Sequence, residues 1–429
     1  MPYVQAQECE PAETQPIEVS SRRLVRKDDA LSSVQIGGVV AVGLLVRVAV
    51  LWLVLEKLSA QWFFHRGMEM GLLAQSIVQG HGLSSPFGGS TGPTAFIAPG
   101  YPFIVAGIFA LFGTYSQLSA VILMAINIGL NLITILFIMR LAVQFSNART
   151  AVLAGLFWAL SPPLIWLPTI FWDTSFSCLI LIAGLCWAMQ LERAPSTAGF
   201  IAAGAFIAIA GLINPALLPA LLAMLCWVAF RRGRTHRLGL ICSILTLVAI
   251  FSPWPIRNAR VFHAFIPLRS TVGFEMWMGN RPQSNGFLDE SVFPTFNSGE
   301  LRNYVNMGEV AYIKEKSDEA RRYITSHPLS FSLLSMRRAV RFWMGSGTQN
   351  GSPFFVIHAC VTSFLGFAGL VVLKKRRSTI ATIALLPLLF FPLPYYMTHA
   401  EFRYRLVIDP LLCVLSACAP GIMTRQSGS

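Results

Sequence analysis

The stretch Tyr101–Phe112, reading YPFIVAGIFALF, decides how this chain is threaded. It is as apolar as a membrane helix, but a crossing needs about 20 residues and this run has only about 12. If it crossed, every later loop would change sides. If it lies along one face of the bilayer, the positive loops all fall on the other face, as the positive-inside rule favours.

Outward from that stretch the sequence offers ten apolar segments, centred on Val34–Leu55, Leu118–Met139, Ala151–Leu167, Phe171–Met189, Ala198–Ile213, Ala216–Phe230, Leu238–Pro253, Phe354–Leu373, Thr379–Met397 and Leu406–Met423. Asn214-Pro215 separates two of them, which read as two helices because their combined ~30 residues exceed one bilayer crossing. With the N-terminus inside, the loops holding Arg140 and Arg149, Arg193, Arg231 to Arg237, and Lys374 to Arg377 all lie inside, provided that 101–112 stays out of the bilayer as an interfacial helix.

Composition agrees. Of 429 residues, 54% are hydrophobic and 12% are charged, about half the charged share usual in soluble domains. The net charge of +13 comes from basic residues clustered at the ends of apolar runs, among them Arg22, Arg23, Arg26 and Lys27. That placement marks cytoplasmic loops and not a nucleic-acid groove. The eight cysteines, Cys178, Cys186, Cys226, Cys242, Cys413 and Cys418 among them, lie mostly inside apolar runs without ligand spacing, so they read as small core residues.

The expected fold class is therefore an all-α polytopic membrane protein of about ten transmembrane helices. Residues 1–33 are expected as a disordered cytoplasmic tail, 34–253 as a membrane domain with an outer loop at 56–117, 254–352 as an extracytoplasmic insert, 353–423 as C-terminal transmembrane helices and 424–429 as a tail.

Polar chemistry concentrates in the pieces left outside. Glu69, soon after the first span, is a carboxylate near the bilayer boundary, costly unless used or paired; Arg66 is the simple partner. Asp173, in Trp172-Asp173-Thr174-Ser175, stands at the outer end of a helical hairpin, where it could be a site acid or only a helix N-cap. Two acids on one face could share deprotonation of an acceptor and binding of a cation.

In the loop His399, Glu401, Arg403, Tyr404 and Arg405, two arginines lie on the side that positive charge avoids. A lipid phosphate is their natural partner, since guanidinium binds phosphate through a bidentate fork; pairing with Glu401 is the plainer reading. Arg257, Arg260 and Arg269 repeat the anomaly and could join the same basic pocket. His81, in Gly80-His81-Gly82, has no second His or Cys at ligand spacing, so a metal role for it is the weaker reading. Walker, dinucleotide and Gly-x-Ser-x-Gly motifs are absent.

The order of a first span, an outer acid, Leu72-Leu73-Ala74-Gln75-Ser76-Ile77-Val78-Gln79-Gly80-His81-Gly82-Leu83, Gly92-Pro93-Thr94-Ala95, Pro99-Gly100-Tyr101-Pro102 and Leu111-Phe112-Gly113 resembles the glycosyltransferase family 39 type of membrane enzymes. These include the protein O-mannosyltransferases and the aminoarabinose transferases, of the type C glycosyltransferase superfamily. The resemblance implies a type C glycosyltransferase-like helical bundle. It also implies transfer of a sugar from a polyprenyl phosphate donor to a lipid, glycan or protein acceptor on the extracytoplasmic face of a bacterial inner membrane.

Carried over residue by residue, it implies Glu69 and Asp173 as catalytic acids, and Arg403, Arg405, Arg257 and Arg269 as donor-phosphate ligands. Tyr101, His81, Glu401 and Tyr404 are then expected at the substrate. No nucleotide is needed by this reading, and a divalent cation is the one candidate cofactor. Two positions depart from the family pattern: the first acid is Glu where Asp is usual, and Ala98 stands where a basic residue often precedes the Pro-Gly pair. The competing classes are a polytopic transporter or lipid flippase, which would show inverted repeats that this hydropathy pattern lacks, and a non-catalytic subunit, for which the outer acids would be dispensable.

Overall fold

The computed structural model describes residues 31–57, 59–65, 67–345 and 353–419. The expected tails, the 22–27 cluster, Arg66 and the end of the last apolar segment lie outside the described residues. Among those described, the chain is helical, with no strand beyond two isolated bridges, Ser84 with Pro93 and Phe287 with Ala400.

The first span is α1 (Ser33–Lys57), and the loop after it carries α2 (Ala60–His65), α3 (Met68–Val78) and α4 (Gly100–Phe112). Then follow α5 (Gln117–Phe145), α6 (Ala148–Leu160), the single turn α7 (Pro162–Ile165), α8 (Thr174–Arg193), α9 (Thr197–Ile213), α10 (Leu218–Arg232) and α11 (Arg237–Phe251). The polar stretch holds α12 (Pro253–Phe262), α13 (Val272–Gly279), α14 (Ser298–Met307), α15 (Glu309–Ser326) and α16 (Pro328–Met344). The chain ends with α17 (Pro353–Arg376), α18 (Ser378–Phe390), α19 (Leu393–Met397), α20 (Phe402–Leu406) and α21 (Asp409–Cys418).

Among the described residues six helices are long and apolar enough to cross a bilayer: α1, α5, α8, Pro215–Arg232, α17 and Ser378–Met397. The pair α11 and α12, bent by 40°, is a seventh if it counts as one span. The other three expected segments fall on the shorter apolar helices α6, α9 and α21. The chain is an integral membrane protein. The decisive stretch forms α4, a helix of 13 residues, about 20 Å long and short of the ~30 Å hydrocarbon core.

The short α6 has a visible cause. Pro162 and Pro163 stop it, leaving its last carbonyls without helical N–H partners. Arg47, buried in the middle of α1, supplies them, donating to the carbonyls of Trp158 and Ala159 at 3.4 and 3.3 Å, and to Leu164 at 3.2 Å. Both terminal nitrogens of an arginine inside a span are thus met by backbone carbonyls and not by a carboxylate.

The polar stretch is tied to the loop after α1 by Glu309. Its buried carboxylate accepts from Thr94 Oγ1 at 2.5 Å, the Ala95 N–H at 2.8 Å, Ser270 Oγ at 2.8 Å and the Tyr304 hydroxyl at 2.7 Å. Glu309→Ala strands four donors, each costing about 1–3 kcal/mol when left unmet. We expect limited proteolysis to nick 254–345 in that variant under conditions that leave the parent intact.

At the other end of this stretch, α16 runs alongside α17. Ser363 Oγ donates to the Trp343 carbonyl at 2.7 Å, and Cys360 Sγ to that of Met344 at 3.5 Å. Leu329, Leu333, Met336, Val340 and Met344 form an exposed apolar stripe on its far side. Arg338, fully buried, faces inward and donates to the carbonyls of Gly279, Tyr396 and Met397 and to Asn280 Oδ1.

Candidate functional site

The site forms where α3, the turn before α8, and α20 converge. Glycine makes the approach possible: Gly67, at φ 94°, opens α3, and a Cβ there would overlap the Phe171 carbonyl oxygen and come within 3.1 Å of Trp172 Nε1. The first turn of α3, with Glu69, is therefore pressed against the turn that carries Asp173. Part of the Glu69 side chain stays accessible, yet its carboxyl is crowded enough that burial pushes its pKa up. Arg403 pulls it partly back, while Glu290 and Glu401 push it further up.

Asp173 is 9% exposed and precedes α8, but its side chain makes no capping hydrogen bond to that helix. The N-cap reading is not realised. Its carboxylate instead accepts from Ser177 Oγ at 3.2 Å, and Ser177 Oγ accepts from Asn214 Nδ2 at 3.0 Å. The Asn214-Pro215 break between α9 and α10 thus orients the acid through one hydroxyl. Burial pushes the Asp173 pKa up, opposed by Arg403, by the Ser177 bond and by Arg269. Tyr101 lies beside it, with its buried hydroxyl lacking any partner among the described residues.

Arg403 is the cation whose charge reaches both acids. Its Nε donates to Glu401 Oε2 at 2.6 Å, its Nη2 to the Tyr404 hydroxyl at 3.3 Å, and its guanidinium lies 3.8 Å from the Trp172 ring centroid. Burial opposes its charge, but Glu401, Tyr404 and Asp173 outweigh burial and hold it above the usual arginine value. Arg269 pairs with Glu275 at 3.0 Å, and its charge reaches Asp173 and His399. The His399 ring bonds the Tyr404 hydroxyl through Nε2 at 2.8 Å, and its Nδ1 is unpartnered. Burial, then Arg403, Arg269 and Arg338, lower its pKa to about 3, so the imidazole is neutral.

Three expected residues lie elsewhere. Arg405 is fully buried and turned away from Arg403, ion-paired with Asp409 and donating to the Ala359 carbonyl and to Thr362 and Ser363 on α17. Two residues apart on one helix turn, the arginines must point in different directions. Arg257 is spent on backbone, donating to the carbonyls of Thr94 at 2.7 Å and Leu83 at 3.0 Å. His81 is exposed in the turn after α3. Among the described residues no three His, Cys, Asp or Glu side chains gather as a cation site, so the donor set for the candidate divalent ion is not assembled.

Sequence reading missed Asp409, although its place four residues after Arg405 in an apolar run was a usable signal. It also missed the Ser177–Asn214 relay, which no local pattern marks.

No protein-family model and no curated protein matches the chain. Among solved structures, it is similar to the oligosaccharyltransferase of Archaeoglobus fulgidus in the apo form, with a TM-score of 0.54 and 16% identity over 92% of this chain and 51% of that one. The same enzyme tethered to an acceptor peptide containing the NVT sequon gives 0.52, 16% identity, 92% and 50%. ArnT from Cupriavidus metallidurans bound to undecaprenyl phosphate gives 0.39, 14% identity, 92% and 79%. The chain spans about half the length of the oligosaccharyltransferase it matches. What the chain shares with that oligosaccharyltransferase is its helical membrane fold.

Proposed function

We propose, from that shared fold and the paired acids, that this chain is a membrane glycosyltransferase using a polyprenyl phosphate-linked sugar as donor, with its site on the extracytoplasmic face. The observation that supports this reading is two crowded carboxyls, Glu69 and Asp173, on segments that Gly67 lets press together, both within reach of the Arg403 charge, and with pKa values that burial raises. A carboxylate raised toward neutrality is a better proton acceptor for a hydroxyl than an ordinary one.

In the reaction, the acceptor hydroxyl oxygen attacks the anomeric carbon as the bond from that carbon to the phosphate oxygen breaks. The hydroxyl proton passes to Asp173 or Glu69, and the leaving polyprenyl phosphate carries the electron pair. Asp173 is the better oriented of the two, through Ser177 and Asn214. Arg403 still has Nη1 to offer a phosphate oxygen, and Arg269 adds a second positive charge nearby. In this reading Tyr101, whose hydroxyl has no partner among the described residues, and Tyr404 contact the sugar. Arg405 and Arg257 take no part.

The test is transfer itself. The purified chain in proteoliposomes, given a radiolabelled polyprenyl phosphate sugar and candidate lipid, glycan and peptide acceptors, is expected to move label to one acceptor class. Absence of transfer and of donor hydrolysis across hexose and pentose donors overturns the reading in favour of transport or flipping.

A further inference from the structure

The helices α6 and α17 enclose a groove of about 620 Å³ whose wall includes Leu153, Leu160, Phe354, Ile357 and Val361 and none of the acids. These five are 41–63% exposed, and they stand on apolar helices of a membrane protein, so hydrocarbon chains are what reach them. Set into this apolar wall are three polar side chains: Ser416, which donates to the Thr362 carbonyl at 3.3 Å, and Ser161 and His358, which bond each other. Polar groups at such a place are costly, and by default they point to a function.

The chemistry of Ser161 and His358 is fixed from behind. Asp409, wholly buried, is ion-paired with Arg405 and so stays a carboxylate; it takes the proton on His358 Nε2 at 3.0 Å. With Arg405 already supplying the positive charge at that carboxylate, a second charge on the ring is disfavoured; a neutral His358 then has a bare Nδ1, which accepts the Ser161 hydroxyl proton at 2.5 Å. Ser161 Oγ, its proton committed, presents only lone pairs to the groove. A serine, a histidine and an aspartate in this order resemble a hydrolase triad, but residues 162 and 163 are both proline and offer no N–H beside the serine to hold an oxyanion.

We propose that the groove is a lipid-binding site for one hydrocarbon chain bearing a hydrogen-bond donor, a hydroxyl or an amide N–H, which Ser161 Oγ accepts. The Asp409–His358 pair holds the serine in its accepting state. The site is separate from the transfer site and stands whether or not sugar transfer is found.

The probe is a diazirine-bearing long-chain alcohol, compared with its methyl ether, photocrosslinked to the full chain in phosphatidylcholine nanodiscs. One net hydrogen bond is expected to favour the alcohol about five-fold on peptides covering 153–161 and 354–365. Ser161→Ala is expected to bring the alcohol down to the ether's level. Equal labelling by the two probes in the parent chain overturns the proposal without recourse to any variant. So does a preference that survives Ser161→Ala, or an absence of label from these peptides. Labelling of Ser161 by a fluorophosphonate would overturn the binding-only reading.

Discussion

Asp173→Asn is expected to lower the transfer rate by about 10²–10⁴, the usual contribution of a positioned general base, with little change in the amount of folded protein. Asn keeps the shape of Asp and can still accept from Ser177 Oγ, so the relay from Asn214 survives while the proton acceptor is gone. Glu69→Gln removes the second carboxyl and is the paired measurement. Full activity in both variants sinks the assignment of the acids. The pH profile adds a sign. The base must be ionised, and burial raises both carboxyls, so the rate should climb with pH through an apparent pKa above the ordinary carboxylate value of about 4. A rate already at its plateau at that pH counts against the argument.

Arg403→Ala is the second large effect, about 10²–10³ in rate, as for the loss of one donor to a developing anion. On the proposed reading it removes a phosphate ligand, and it removes the charge that lowers the pKa of both Glu69 and Asp173. The acid limb of the profile should therefore move to higher pH. Arg403→Lys keeps a charge but loses the Nε bond to Glu401 and the flat contact on Trp172. It should restore the position of the limb more than the affinity for the carrier. A limb that stays put in Arg403→Ala refutes the electrostatic link.

The parts of this molecule that depend on short-range pattern were readable in advance. Apolar runs marked the spans, and the brevity of 101–112 marked α4 as a helix too short to cross. Glu69, Asp173 and Arg403 stood out because charge is rare and costly near apolar helices. What could not be read was the partner of each charge. Arg257 meets the carbonyl of Thr94 from 163 residues away, and Arg405 meets that of Ala359 from 46 away. An arginine held by distant backbone looks, in sequence, the same as one awaiting a phosphate. Asp173 shows the opposite outcome, a residue suited to capping whose carboxylate is drawn instead to Ser177.

The boundaries drawn from hydropathy at 253/254 and 352/353 invite treating the polar stretch as an exchangeable module. Glu309 bonds across one of them to Thr94 and Ala95, Arg257 to Leu83 and Thr94, and Arg338 across the other to Tyr396 and Met397. A chimera that transplants 254–352 alone would cut all three sets of bonds. Moving the stretch into another such fold thus requires moving 83–95 and 396–397 with it, because hydrogen bonds join the three into one unit that sequence numbering divides.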